Sequence, residues 1–324
     1  MLIKKENGVA LVLALAVVAL LVSLVVDFSY TMMVDLTLAA NLRDGEKAFY
    51  NARSGIELAK HLLQEDDPDY DALDEDWALL AEHPGFLSQD DEGRFKITIE
   101  DEAAKFPINK LVTGEKEKKV DPGRSEQLRL LFEVLEFAPE LVDPIVDWLD
   151  SDSESVGGAE DAYYQSLPSP YACKNGPLDS LDELLLVKGM TKEILYGTEE
   201  KKGLIHFLTL YSDDKGLLNI NTASAEVIQS LSKDITQNQA QDIVDYLKEK
   251  PLTGKDPAEW DTVIRPLIGG STTISDYLEG QCVIKTSYFS LRVEGQVREI
   301  KKVIYTVLKR EEKKGIKPIF WRVE

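Results

Sequence analysis

Two cysteines, Cys173 and Cys282, and three histidines, His61, His83 and His206, are all that 324 residues offer of the softer ligands and bases. No histidine stands beside a Gly-x-Ser-x-Gly elbow or a partner cysteine, and no glycine-rich phosphate loop occurs, so nucleophilic and nucleotide-dependent catalysis find no machinery. Zinc is disfavoured because His206 and the cysteines fall at no ligand spacing. Two cysteines 109 positions apart define no disulfide scaffold, although outside the cytoplasm they could pair. Basic residues are also short: Lys plus Arg is 37 against 58 Asp plus Glu, a net charge of -21. That balance opposes polyanions such as nucleic acid and favours cations or cation-rich partners. Acidic residues are so common that any pair of them carries no catalytic message by itself. Proline is absent from Val9 to Leu63, which leaves that stretch free to be one helix.

What is present begins with a polar leader, Met1-Leu-Ile-Lys-Lys-Glu-Asn-Gly8, followed by an apolar run. Residues 9–26 hold one polar side chain, Ser23, and no charge. Eighteen residues at about 1.5 Å each reach roughly 27 Å, close to the hydrocarbon core of a bilayer. A cleaved secretory signal needs small residues just after such a run, and here Asp27-Phe28-Ser29-Tyr30 follows. Lys4 and Lys5 put the leader in the cytoplasm and the bulk of the chain outside. Beyond the span, Val34, Leu38, Leu42, Phe49, Ala52, Ile56, Ala59 and Leu63 recur at helical spacing, so the helix runs on as a half-exposed rod about 80 Å long. Gly45 and Gly55 weaken it slightly.

Length alone suggests two or three domains. Residues 65–92 are acidic and read as a loop with one short helix near Trp77 to Ala81. Phe95, Ile97 and Ile99 alternate with polar residues in a half-buried strand, with Phe106 to Leu111 as a short partner. Ser287 to Val293 alternates likewise, and Val297 to Lys309 adds a strand across a Glu294-Gly295-Gln296 turn. Lone hairpins are marginal in water, so these groups should join in one antiparallel sheet packed on the rod. The residues between them read as helices: Leu128, Leu131, Phe132 and Leu135; Leu141, Ile145, Trp148 and Leu149; Leu181, Leu184 and Leu185; Val227, Ile228 and Leu231; Ile243, Val244 and Leu247. Ser180 with Glu183 forms a capping box.

One segment carries clear chemistry. Asp150-Ser-Asp152-Ser-Glu154-Ser-Val-Gly-Gly-Ala-Glu160-Asp161 sets five carboxylates in twelve positions of a Gly- and Ser-rich loop. Calcium takes six to eight oxygens at about 2.3–2.6 Å, which such a loop can supply. The spacing mimics an EF-hand, but Ser155 stands where the invariant glycine belongs. A merely solvated acidic loop remains the alternative.

Several blocks together resemble a known class. The leader ending in Gly8, the apolar helix and Ala52-Arg-Ser-Gly-Ile-Glu57 look like type IV pilin-like proteins. That resemblance implies cleavage between Gly8 and Val9 by a prepilin peptidase and methylation of the new N-terminus at Val9. The fifth residue after the cut, glutamate in most of the class, is Leu13. An intramembrane carboxylate needs a partner, which the class supplies from the subunit ahead, so Leu13 marks a subunit with nothing ahead of it. With Ile145-Val-Asp-Trp-Leu-Asp150, Gly158-Ala-Glu-Asp161, Tyr163-Tyr164, Asn175-Gly-Pro-Leu-Asp-Ser-Leu-Asp-Glu-Leu184 and Leu218-Asn-Ile-Asn-Thr-Ala223, the whole chain resembles the type II secretion minor pseudopilin, general secretion pathway protein K family.

The resemblance implies an α+β, type IV pilin-like fold in six parts. These are a leader (1–8), a long helix (9–63, with 9–26 in the membrane), a first part of the pilin-like domain (64–111), an inserted helical domain (112–281), final strands (282–310) and a C-terminal tail (311–324). It also implies calcium held by Asp150, Asp152, Glu160, Asp161 and Asp179, with Glu154 and Asn175 as further candidates. The implied role is a non-enzymatic tip subunit of a periplasmic pseudopilus, anchored once in the inner membrane. Its implied partners are the I and J minor pseudopilins, contacted through the rod's apolar stripe, the prepilin peptidase and the inner-membrane assembly platform. Leu184 to Met190 and Leu218 to Leu231 resemble helix-hairpin-helix (SAM-like) modules, some of which bind DNA. Glu226, Asp234, Asp242 and Asp245 around the second argue for protein packing instead. The competing class is a free-standing, membrane-anchored calcium- or DNA-binding module.

Overall fold

The computed structural model describes residues 6–82, 93–114, 119–155, 157–311 and 315–324. Lys4, Lys5 and the rest of the leader's first five residues lie outside them. A single helix, α1 (Glu6–Glu65), runs without interruption through the predicted span and rod, about 90 Å at 1.5 Å per residue. Its large apolar side chains from Val9 to Leu42 are all exposed. One face is buried from Asp44 onward, its apolar part through Ala48, Ala52, Ile56, Ala59 and Leu63. The expected stripe therefore divides: Ala52, Ile56, Ala59 and Leu63 are used by the protein's own sheet, and only Val34, Leu38 and Leu42 stay free for other molecules.

The sheet has four antiparallel strands in the order β1 (Arg94–Asp101), β2 (Tyr288–Val297), β3 (Ile300–Glu311) and β4 (Gly315–Val323). Ile97 faces Val293 across β1 and β2, and Val293 faces Ile304 across β2 and β3, so apolar residues line one face in register. That face, with Ile99, Phe289, Leu291 and Leu308, packs on α1 and on Trp77 and Leu80 of α2 (Asp76–Glu82). Trp77 meets Phe289 edge to face, 5.2 Å between ring centres. Each fully buried side chain of this size contributes roughly 1.5–3 kcal/mol.

Three sequence expectations change here. The hairpin turn is Arg298-Glu299, with Arg298 at φ 53°, and Gly295 lies inside β2. A Cβ at Gly295 would overlap the backbone of Ala48 and Ala52, so this glycine marks where α1 presses on the sheet. Phe106-Pro107 pairs in parallel with Leu208-Thr209 and not with β1. Residues 315–323 of the supposed tail form β4, with a bulge between Pro318 and Phe320.

The chain leaves the sheet at Asp101, whose side chain caps a short 3₁₀ turn, and returns at β2. The intervening residues build a second core around Phe106, Leu131, Phe132, Ile145, Trp148 and Tyr164. Its helices are α3 (Pro122–Val134), α4 (Val142–Leu149), α5 (Asp161–Gln165), α6 (Lys192–Tyr196), α7 (Ala225–Gln229), α8 (Gln237–Glu249), α9 (Arg265–Leu267) and α10 (Thr272–Gln281). Ser180 and Glu183 do form the capping box, on a 3₁₀ helix over Leu181–Leu186. Cys173 and Cys282 are free thiols, half-buried and buried, and burial pushes their pKa values up to about 11 and about 12.

Buried polar groups join the two cores. The Asp71 carbonyl accepts from Asn219 Nδ2 at 3.1 Å and Asn221 Nδ2 at 3.3 Å, and the Asp71 N–H donates to the Ile284 carbonyl at 2.8 Å. The Asp71 carboxylate accepts from the Thr286 N–H at 2.7 Å and pairs with Arg310. Asp101 accepts from Asn219 at 2.8 Å and Thr222 at 2.7 Å. Asn219 and Asn221 thus explain the Leu218-Asn-Ile-Asn block as a clasp.

Replacing Gly295 with valine should destabilise the sheet by at least about 2 kcal/mol through overpacking against α1. Gly280→Ala, where an added Cβ meets nothing within 4 Å on exposed α10, should be neutral or stabilising by up to about 1 kcal/mol. Urea unfolding of both variants checks the contrast.

Candidate metal centre

Helix α4 buries Val142, Ile145, Trp148 and Leu149 and therefore fixes the direction in which its last residues point. Asp150 is its C-cap, and its N–H still bonds the Val146 carbonyl at 2.9 Å. Asp147 lies one turn back and is buried. Carboxylates at a helix C-terminus face the negative end of the dipole, the less favourable end for an anion. The loop then doubles back. Gly157 takes φ 96°, and a side chain on Gly158 would overlap Asp147 Oδ2 and the Asp143 backbone, so two glycines permit the return beneath α4. The return delivers Glu160, the residue before α5.

Asp150, Asp152 and Glu160 consequently converge, with one oxygen of each within 4.8 Å of the others. Asp150 and Glu160 are buried and Asp152 is exposed. Asp150 Oδ1 and both Glu160 carboxylate oxygens have no hydrogen-bond partner, nor does Asn175 Oδ1. Asn175, at φ 47°, donates from Nδ2 to the Asp152 carbonyl at 3.4 Å, which brings its segment against the loop. Burial, reinforced by Asp152 and Asp147, raises the Asp150 pKa to about 6. Burial, then Asp147, Asp150 and Asp152, raises that of Glu160 to about 7.

The other expected ligands stand apart. Asp161 Oδ1 accepts from the Cys173 N–H at 3.0 Å and fastens a loop. Asp179 is paired with Lys174 at 2.7 Å, its side chain 89% exposed. Glu154 donates its N–H to Asp152 Oδ1 at 2.8 Å and is itself exposed. Asp147 is the group that sequence reasoning missed, because it sits within an apolar helical stripe; its position one turn before Asp150 on α4 is the signal that could have found it.

A second acidic group, Asp66, Asp71 and Glu75, also gathers within 4.8 Å. It differs in holding its own cation: Arg310 pairs with Asp71 and, at 3.4 Å, with Asp66. Glu75 is raised to about 7 by burial and then by the hydrogen bond it shares with Asp66. At Asp150, Asp152 and Glu160 the nearby cations are engaged elsewhere: Arg129 with Asp143, Lys174 with Asp179 and Glu183, and Lys188 with the Gly158 carbonyl. Buried, unpartnered carboxylate oxygens in a convergent all-oxygen set suit a hard divalent cation such as calcium.

Known proteins share this architecture. The family described as type II secretion system (T2SS), protein K, matches residues 104–198 and 218–256. Type II secretion system protein K of Pseudomonas aeruginosa is 28% identical over 94% of this chain and 89% of its own length. Its counterpart from Aeromonas hydrophila is also 28% identical, over 95% of this chain and 94% of its own. A chain from the crystal structure of the GspK-GspI-GspJ complex of enterotoxigenic Escherichia coli superposes with a TM-score of 0.70. It covers 88% of this chain and 99% of its own length at 18% identity, and so shares the fold.

Calcium titration of the full chain in detergent should give saturable heat, and Glu160→Gln should weaken binding at least tenfold, about 1.4 kcal/mol. Because Asp150 and Glu160 have folded pKa values above their ordinary range, the folded state holds more protons than the unfolded chain near pH 6. In chelator, the melting temperature should therefore rise as pH falls from 8 to 6 and drop as pH climbs through these values. Asp71, at about 6, and Glu75 add the same sign. Flattening of the profile in Glu160→Gln isolates the loop's share.

Proposed function

We propose that this chain, which belongs to the type II secretion system protein K family, is a minor pseudopilin that forms the tip of a periplasmic pseudopilus. The observation that carries the reading is the division of α1. Its large apolar side chains from Val9 to Leu42 are exposed, while the same helix from Ala48 is sunk into the sheet. About the first 18 of these residues are long and apolar enough to cross a bilayer. The rest, through Val34, Leu38 and Leu42, suit packing against the equivalent helices of other subunits.

In this reading the chain is a single-pass protein of the inner membrane with its bulk in the periplasm. A prepilin peptidase cuts between Gly8 and Val9, Val9 is N-methylated, and the inner-membrane assembly platform then draws the helix out of the bilayer. Leu13, 60% exposed within an unbroken apolar surface, needs no amine from a subunit ahead, which supports the terminal position. The helical residues between β1 and β2 act as an inserted domain on a pilin-like sheet, and their bulk blocks addition of another subunit above. Growth is thus primed and limited from the tip. The solved relative is titled as a complex with GspI and GspJ, which supports minor pseudopilins of those two types as the partners here. The role is structural and requires no catalysis.

Asp150, Asp152 and Glu160, with Asn175, would hold calcium, which supplies the positive charge that lets three acidic groups sit together. Its contribution is to tie the end of α4 to the start of α5 and to the Asn175 segment. The two short helical pairs, Leu181–Leu186 with α6 and α7 with α8, serve as packing units of this domain.

In cells carrying the peptidase, Gly8→Ala should accumulate precursor that migrates above the processed protein on a gel. Unchanged migration in both would contradict the pseudopilin reading.

A further inference from the structure

The two edges of the sheet are treated differently. Along β1, α2 packs against the strand. Strand β4 pairs with β3 on one side and with no described strand on the other. Its side chains are unusual for an edge: Ile319 is 42% exposed, Phe320 39%, Trp321 42% and Val323 41%. Register divides them between both faces. Trp321 and Val323 lie beside Thr306 and Ile304 on the α1 side, whereas Phe320 and Arg322 lie beside Val307 and Tyr305 on the other. Arg322 stacks 4.6 Å from the Tyr305 ring centre, as this assignment requires.

The backbone identifies the open rungs. Glu324 and Val303 exchange both hydrogen bonds, at 3.0 and 2.9 Å. Antiparallel ladders alternate every residue, so Arg322 bonds inward to β3, while the N–H and C=O groups of Trp321 and Val323 point away from the sheet. Pro318 and the bulge after it close the other half of the edge, confining open rungs to residues 319–323.

An apolar surface on both faces of one edge is matched best by a strand, which extends both layers at once and satisfies the outward polar groups. Charge defines that strand. In a chain of net charge -21, β4 carries Lys317 and Arg322 and no acidic residue. Lys317 pairs with the half-buried Glu311 at 2.5 Å and Arg322 with the exposed Glu324 at 3.2 Å, and both cations keep about half of their own side-chain surface open to solvent. Self-pairing of two copies would bring two strongly negative molecules, and the two cationic strands themselves, together. We propose that residues 319–323 take a fifth strand from a partner protein, an extended segment with aliphatic or aromatic residues flanked by aspartate or glutamate. The inference does not depend on membrane anchoring or on pilus assembly.

The test uses the full chain in detergent with a synthetic nine-residue peptide alternating glutamate and valine, and a second peptide with lysine for each glutamate. Amide exchange at Trp321 and Val323 should slow at least tenfold with the acidic peptide and stay unchanged with the basic one. Val323→Pro removes an outward N–H but no bond to β3, so it should abolish that protection while the β3 amides of Val303 and Tyr305 stay protected. If Val323→Pro perturbs the fold, Trp321→Ser, which keeps every backbone group, should weaken peptide binding at least tenfold. No protection, equal protection by both peptides, or protection of the same amides in a peptide-free dimer would each overturn the proposal.

Discussion

The rest of the structure depends on how closely one face of α1 approaches one face of the sheet. Ala48 and Ala52 meet Gly295 with no room for a side chain between them, and Ile56, Ala59 and Leu63 continue the contact upward. Small residues on the helix and a glycine in the strand allow backbone-scale proximity, where a larger residue would open a gap or force strain. That contact sets the helix axis relative to the strands. The loop after α1 is held at the top of the sheet by Asp66, Asp71 and Arg310, and Asp44 with Arg298 at 3.1 Å holds the lower end. The second core then hangs from Asp71 and Asp101 through Asn219, Asn221 and Thr222.

Two acidic groups of similar geometry lead to different chemistry because of what lies between them. Asp66 and Asp71 pair with the Arg310 guanidinium and Glu75 shares a hydrogen bond with Asp66, so their charge is met within the fold. Asp150, Asp152 and Glu160 have the same compactness but leave buried oxygens unmet at the unfavourable end of α4. In the first, truncating Arg310 would strand buried carboxylates; in the second, the protein itself leaves them stranded, an arrangement that suits a cation. This distinction depends on one arginine 160 positions away from Asp150, and no local reading of either acidic segment contains it.

Much of the architecture was legible because periodicity reports burial. The alternation from Phe95 to Ile99 and from Phe289 to Val293, and the helical spacings of α3, α4, α7 and α8, arise from one side of each element facing a core. Gly295 misled because glycine signals a turn and a close backbone approach equally well, and only the position of α1 decides between them. Residues 315–323 escaped notice because an exposed edge strand has no buried face to impose alternation, and Pro318 argues locally against a strand. Of the candidate ligands that the resemblance implies, Asp150, Asp152 and Glu160 come together; carboxylate density in a loop containing two glycines marked the segment and not the individual residues. Asp161 and Asp179 share the composition but point elsewhere, toward the Cys173 amide and Lys174.

The sequence by itself determined the long helix, an apolar start long enough to cross a membrane, and the presence of a loop dense in carboxylates. These are properties of contiguous residues, fixed by hydropathy, spacing and local charge. Only the tertiary structure decided which part of the helix is free, which carboxylates meet, and which sheet edge is open. Each of those depends on groups far apart in the chain, brought together by the packing of α1 on the sheet and of the sheet on the helical core.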